Sequence, residues 1–188
     1  MNFTTQRLKA FSLAGAFLFP ALAQAGNHHV VTVKGGDVEF QGAVVNAACA
    51  VDAGSEDLTV EMGQVRSNEF HGLGSWTDPQ AFTITLKDCD TTVSQQVSVA
   101  FRGLTDGKDP GVLAVTDGAQ SAQSAQGVGL GIFDNQGNQI IPNTQPMNFT
   151  AIQDNTTVLN FVAKYRATSR TVVAGDANAQ TWFTLTYL

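Results

Sequence analysis

An all-β sandwich is the fold class this sequence predicts, and three observations predict it. Strand-like runs recur along the chain, at 58–62, 82–86, 97–101, 112–115, 128–133, 158–165 and 182–187, and the clearest of them alternate apolar and polar residues at period two, the pattern of half-buried strands. Glycine, asparagine, aspartate and serine punctuate the chain between the runs and supply turns. No amphipathic stretch of about 12 residues or more competes as a helix. Short strands separated by turns in a chain of this length point to a sandwich of the immunoglobulin-like kind.

The chain opens with a segment that reads as an export signal. Arg7 and Lys9 give a basic start, residues 11–22 are largely apolar, and Ala23-Gln24-Ala25 is a small-residue cleavage site. Ser12 and Pro20 interrupt the apolar run, which falls short of the ~20 residues a spanning helix needs. Cleavage before Gly26 leaves 163 residues of the 188. The segment takes with it two of the ten basic residues and none of the sixteen acidic ones, so the remaining chain carries a net charge of −8 with histidine neutral. Such a balance argues against nucleic acid or an anionic membrane surface as partner, because both require clustered lysine and arginine.

Residues 26–42 form a leader ahead of the first domain strand. Val31 and Val33 alternate with Thr32 and Lys34, while Val38 and Phe40 alternate with Asp37, Glu39 and Gln41, so both halves read as strand. Gly35-Gly36 stands between them and shifts the parity. A free terminal strand either pairs inside its own domain or leaves to pair elsewhere, and the residues alone leave both open. The remaining length, residues 43–188, suits one sandwich domain.

Cys49 and Cys89 lie 40 residues apart. An even pair in an exported chain is most simply a disulfide. There is no CxxC and no histidine at ligand spacing, so a metal site or a catalytic thiol has little support. The run 182–187 closes the sequence. Phe183, Leu185 and Tyr187 share one face and Thr184 and Thr186 the other, with only Leu188 beyond. A core strand with no covalent successor offers an open edge, which is a template for pairing with another chain.

The other candidate motifs are weak. His28-His29 lacks the spacing that aligns metal ligands and reads as a solvated tail. His71 has no nucleophile elbow to serve and reads as a loop residue. Gly127, Gly129 and Gly131 alternate with Val128, Leu130 and Ile132, which suits a strand with one face closely approached by another backbone. Asp134-Asn135-Gln136-Gly137-Asn138 reads as a hairpin turn rather than a calcium loop. Asn148-Phe149-Thr150 and Asn155-Thr156-Thr157 fit the glycosylation pattern, which matters only in a eukaryotic secretory pathway. No catalytic constellation is present, so the chain is not expected to be an enzyme or to carry a cofactor or metal.

Several stretches carry a family resemblance. Gly35-Gly36-Asp37-Val38-Glu39-Phe40-Gln41-Gly42, Val44-Val45-Asn46-Ala47-Ala48-Cys49-Ala50-Val51-Asp52-Ala53-Gly54, Gly63-Gln64-Val65-Arg66 and Leu86-Lys87-Asp88-Cys89 are similar to segments of FimA-like major pilins. Asn68-Glu69-Phe70-His71, Val99-Ala100-Phe101-Arg102-Gly103, Asp106-Gly107-Lys108-Asp109-Pro110, Ala163-Lys164-Tyr165-Arg166-Ala167-Thr168 and the stretch from Asn178 to Tyr187 look more like FimI-like minor subunits. The chain thus resembles the pilin subunits of type 1 chaperone-usher fimbriae, nearest the minor subunits, over all of its length beyond the signal.

The resemblance implies an incomplete immunoglobulin-like sandwich that lacks its last strand and is completed by a donor strand from a partner. It assigns residues 26–42 as a donor-strand extension, with Val31, Val33, Gly36, Val38 and Phe40 as donor residues, and residues 43–188 as the pilin domain. Gly175, Phe183, Leu185 and Tyr187 match the family's C-terminal signature and become the edge that accepts a chaperone or donor strand. The implied partners are a periplasmic fimbrial chaperone, an outer-membrane usher and other pilin subunits, with no nucleic acid and no small-molecule substrate. The implied role is a structural fimbrial subunit, exported through the periplasm to the cell surface and contributing to cell adhesion. A minor subunit that terminates or anchors the rod is the first expectation; a rod-forming major pilin is the alternative. A tip adhesin would need a lectin domain ahead of the pilin domain, for which this length leaves no room.

Overall fold

A computed structural model describes residues 32–42, 44, 46–115 and 124–188. The expected signal at residues 1–25, His28, His29 and Val31 lie outside the described residues. The chain divides into two units, Met1–Gly42 and Ala43–Leu188. In the first, residues 32–42 form no helix and no ladder. A ladder needs a neighbouring strand to bond to, and among the described residues of that unit none is present. Lys34 Nζ lies 2.9 Å from Asp37 Oδ2 with both side chains exposed, and Gln41 donates to Glu39 Oε1 at 2.8 Å. Val33, Val38 and Phe40 are 76%, 77% and 92% exposed.

In the second unit the described residues form, in chain order, β1 (Ala50–Val51), β2 (Gln80–Cys89), β3 (Gln96–Arg102), β4 (Leu113–Ala114), β5 (Val128–Asp134), β6 (Gln139–Ile140), β7 (Thr150–Ala151), β8 (Asn155–Ala167) and β9 (Trp182–Tyr187). A single helical turn, α1 (Ala53–Glu56), follows Asp52, whose side chain accepts from the Gly54 amide. One sheet runs β1-β2-β8-β5-β4 with β6 also on β5; the other runs β7-β3-β9. All the paired strands are antiparallel.

Alternation decides which side chains meet between the sheets. From the larger sheet come Ile84 and Leu86 of β2, Ile132 of β5, and Leu159 and Phe161 of β8; from the smaller come Val97, Val99 and Phe101 of β3, all buried. Phe82 stacks on Phe161 with centroids 5.4 Å apart, and Phe101 meets Phe161 edge-on at 5.4 Å and Phe183 at 6.4 Å. Four rings drawn from both sheets thus form a continuous aromatic seam. Such pairs add ~0.5–1.5 kcal/mol each beyond simple burial.

Cys49 and Cys89 are bonded. The bond ties the segment leading into β1 to the end of β2. On the outer side of β3, Ser98 and Ala100 are also buried, which alternation alone does not explain. The cause is a loop laid across them. Asn143 donates its amide to Phe101 O at 2.9 Å, its side chain grips Gly103 N and O at 3.1 and 2.9 Å, and the Ser98 hydroxyl donates to Asn148 O.

The spaced glycines of β5 are approached closely, though by a mixture of partners. A Cβ on Gly131 would lie 2.5 Å from the Trp76 ring, and one on Gly129 would lie 2.3 Å from a Val112 methyl and 3.1 Å from Leu113 O. At Gly127, just before β5, a Cβ would lie 2.6 Å from Thr171 O, and the backbone there has φ +74°. Gly127→Ala therefore combines a left-handed backbone with an overfilled site and is expected to cost roughly 2–4 kcal/mol. Gly137, at φ +84° in the β5–β6 turn, has nothing within 4 Å of the same position, so Gly137→Ala should lose only the backbone part, about 1–2 kcal/mol. Urea unfolding of the two variants side by side checks the difference; equal losses would contradict it.

Candidate functional site

The last strand is paired on one side. Tyr187, Leu185 and Phe183 lie opposite Val97, Val99 and Phe101 of β3, so their side chains turn inward to the core. Along its other edge β9 has no ladder partner among the described residues. Residues 58–62, expected as a strand, are likewise unpaired. Their alternation is nonetheless real: Val60 and Met62 are half-buried while Thr59 and Glu61 are exposed. These residues have the side-chain pattern of a strand without the neighbour that would complete one.

Between these two features lies a groove of about 1590 Å³. One lip is residues 55–66 and the other is residues 175–183. Phe82, Ile84, Phe101, Leu130, Ile132 and Tyr165 line it, so its floor is the sandwich core itself. Of these, Phe82 and Leu130 are only partly buried. An extended strand in the groove could lay alternate side chains on that floor and bond its backbone to the free edges. Each large apolar side chain so buried would contribute about 1.5–3 kcal/mol.

The second lip is fixed from below. Tyr165 donates its hydroxyl to Ala177 O at 2.6 Å, and the Thr181 hydroxyl donates to Arg102 O at 2.8 Å. A Cβ on Gly103 would stand 2.9 Å from Gln180 O, so glycine lets that lip lie against the end of β3. At the far end of β9 the Tyr187 hydroxyl donates to Cys49 O at 3.1 Å. Burial pushes the hydroxyls of both Tyr165 and Tyr187 above the ordinary tyrosine range. Both therefore stay protonated and able to donate at neutral pH.

The structure places the expected site residues as follows. Gly175 and Phe183 line the groove, and Leu185 and Tyr187 continue the same inward face along β9. Val33, Gly36, Val38 and Phe40 belong to the first unit. The groove floor itself, above all Phe82, Phe101 and Tyr165, was not singled out from the sequence, because those residues read simply as core. The signal for the first lip was present in the run 58–62.

A smaller cavity of about 270 Å³ lies by Asp134, Met147, Asn148 and Val158. Its carboxylate is committed. Asp134 accepts from Gln136 N, Asn138 N, Asn138 Nδ2 and Asn148 Nδ2, and although burial raises its pKa, these bonds together hold it below the ordinary carboxylate range. This network closes the expected turn at 134–138. Among the described residues no three of histidine, cysteine, aspartate and glutamate group to hold a metal, and no helix there is long and apolar enough to cross a membrane.

Comparison with known proteins gives the geometry its context. The family model described as Fimbrial protein matches residues 38–188. The chain is 40% identical over 182 residues to a fimbrin-like protein FimI of Salmonella typhi, covering 95% of this chain and 98% of that one. It is 43% identical over 158 residues to the type-1 fimbrial protein A chain of Escherichia coli, covering 83% of this chain and 84% of the other. Among solved structures, an antigen and type I fimbria protein of Burkholderia pseudomallei is 36% identical with a TM-score of 0.57, over 76% of this chain and 91% of that one. The P pilus rod subunit PapA, 21% identical, shares the fold with a TM-score of 0.64 over 76% of this chain and 100% of its own. The chain therefore belongs to the fimbrial protein family, whose members are structural subunits and not enzymes.

Proposed function

We propose that this chain is a pilus subunit assembled by donor-strand exchange. The observation that carries the reading is the groove of about 1590 Å³, floored by core side chains and bordered by the unpaired edge of β9. Strand addition to an exposed sheet edge is a known recognition mode, and chaperone–pilin complementation is one of its standing examples. On this reading Met1 to Ala25 is a cleaved export signal, and a periplasmic chaperone first lends a strand to the groove. The outer-membrane usher then passes the subunit on as the leader of another subunit replaces the chaperone. Gly36, Val38 and Phe40, with Val31 and Val33, are the residues this chain donates in turn. The contact is heterologous and does not close on itself, so repetition builds a fibre on the cell surface, where it contributes to adhesion.

Within the family we assign the chain a minor, FimI-like role that terminates or anchors the rod, supported by the matching stretches at residues 68–71, 99–103, 106–110 and 163–168. A rod-forming major pilin is the second reading, favoured by the 43% identity to the type-1 A chain. The test of donor-strand assembly is a deletion of residues 26–40. It should leave a folded domain that still binds chaperone and yet fails to dock onto the next subunit in the fibre. Incorporation of the deletion at the normal level would end the assignment.

A further inference from the structure

We propose that the groove selects its occupant by charge. It takes an extended strand from a different subunit, one whose outward positions are neutral or basic, and disfavours the leader of a second copy of this same chain. The inference rests on the reading of the groove as a strand acceptor.

The lips of the groove carry Glu56, Asp57, Glu61 and Asp176 against one basic residue, Arg66. All five are exposed. None of the four carboxylates is ion-paired among the described residues. Glu61 stands between half-buried Val60 and Met62, which places it on the outer side of its lip. A strand seated between the lips turns every second side chain to the floor and the rest outward, alongside these acids. On the β9 side, the outward residues Trp182, Thr184 and Thr186 are neutral and exposed, so nothing there offsets the charge.

The leader of this chain is mismatched to that rim. Turning Val38 and Phe40 to the floor turns Asp37, Glu39 and Gln41 outward, adding two carboxylates to a rim that already holds four. The one lysine of residues 26–42, Lys34, lies beyond the parity shift at Gly35-Gly36, and set against Asp37 and Glu39 it still leaves the outward side of the leader with a net negative charge. Like charges set side by side across an interface weaken it and discriminate against that partner, and they do so most at low ionic strength. A donor with the same apolar spacing but lysine, threonine or asparagine at the outward positions meets no such repulsion. The chain would then follow or precede other subunit types in a fibre rather than polymerise with itself.

Three synthetic peptides test this against the full chain from Gly26 to Leu188. One has the natural sequence of residues 31–42, the second carries Asp37→Lys and Glu39→Lys, and the third carries Val38→Ser and Phe40→Ser. Binding of each labelled peptide is followed by fluorescence anisotropy at about 20 mM and about 0.5 M salt. The lysine peptide is expected to bind about tenfold tighter than the natural one at low salt, with the gap shrinking at high salt. Asp57→Asn with Glu61→Gln in the protein should tighten the natural peptide and narrow the gap. Equal affinity of the natural and lysine peptides at low salt, with the serine peptide failing to bind, would overturn the charge proposal and leave strand acceptance standing. A serine peptide that binds as well as the natural one, or no binding by any peptide, would overturn the acceptor reading and the proposal with it.

Discussion

Leu185→Ser combined with Tyr187→Ser is expected, on the proposed donor-strand assembly, to abolish co-purification of the subunit with a periplasmic chaperone while export continues. Both side chains turn inward from β9 and pack against the buried core cluster. Leu185 lies across from Val99, and Tyr187 lies across from Val97 with its hydroxyl on Cys49 O. Replacing two partly buried apolar side chains with serine should remove roughly 4 kcal/mol of packing. It also takes away the Tyr187 hydrogen bond that ties this strand to the segment before β1. β9 contributes its unpaired edge as one border of the acceptor groove, so loosening β9 removes the template on which another strand is built. Thr184→Ser and Thr186→Ser change the exposed face of the same strand and should leave the complex intact. A double Leu185 and Tyr187 variant recovered with chaperone at the normal yield would show that β9 is an ordinary edge.

How much of this was legible beforehand follows from which contacts are local. β2, β3, β5, β8 and β9 fall on runs predicted from alternation, because inward and outward faces along a strand are fixed by period two whatever the fold. β1, β4, β6 and β7 are two residues each; of these only β4 falls inside a predicted run. At residues 58–62 alternation was read as a strand, yet the segment has no ladder. Burial of Val60 and Met62 produces the pattern without any neighbouring strand. In the leader, Val38 and Phe40 show the same thing in an extreme form, being apolar at alternate positions and exposed.

Distant contacts set what the sequence could not show. The spacing of Gly127, Gly129 and Gly131 signalled a close approach, but that Trp76 covers Gly131 depends on a residue 55 positions earlier in the chain. Ser98 and Ala100 are buried because Asn143 and Asn148 hold a loop over them, and no local pattern in β3 announces a lid. The groove was foreshadowed only at its ends, by the lone edge at 182–187 and the run at 58–62. Its floor was concealed because Phe82, Phe101 and Tyr165 are core residues first, and they become a site only where the sandwich is left open.

Removal of the disulfide carries the second large expected effect. Cys49→Ser with Cys89→Ser opens a loop with a sequence separation of 40, for which chain entropy alone gives a loss of about 4 kcal/mol. The bond ties a lightly held segment to the end of β2, which is itself laddered to β8. β1 is a two-residue strand held to β2 through Ala50 and Val51, and the segment before it is anchored by the Asp90 amide on Ala48 O at 2.9 Å and by Tyr187 on Cys49 O. Without the covalent link, fraying of that segment would also release the Tyr187 hydroxyl, so damage begun in the larger sheet would spread to β9 in the smaller one. Tyr187→Phe separates the two contributions. It keeps the ring and the disulfide, loses one hydrogen bond, and should cost about 1 kcal/mol, with the Cys49 carbonyl left unanswered. Denaturant unfolding of the wild type, Tyr187→Phe and the double serine variant should give losses in that order. Thiol titration of the denatured, unreduced wild type should find no free cysteine. If the double serine variant unfolds at the same denaturant concentration as Tyr187→Phe, the disulfide is incidental to the fold, and the segment before β1 is secured by its hydrogen bonds alone.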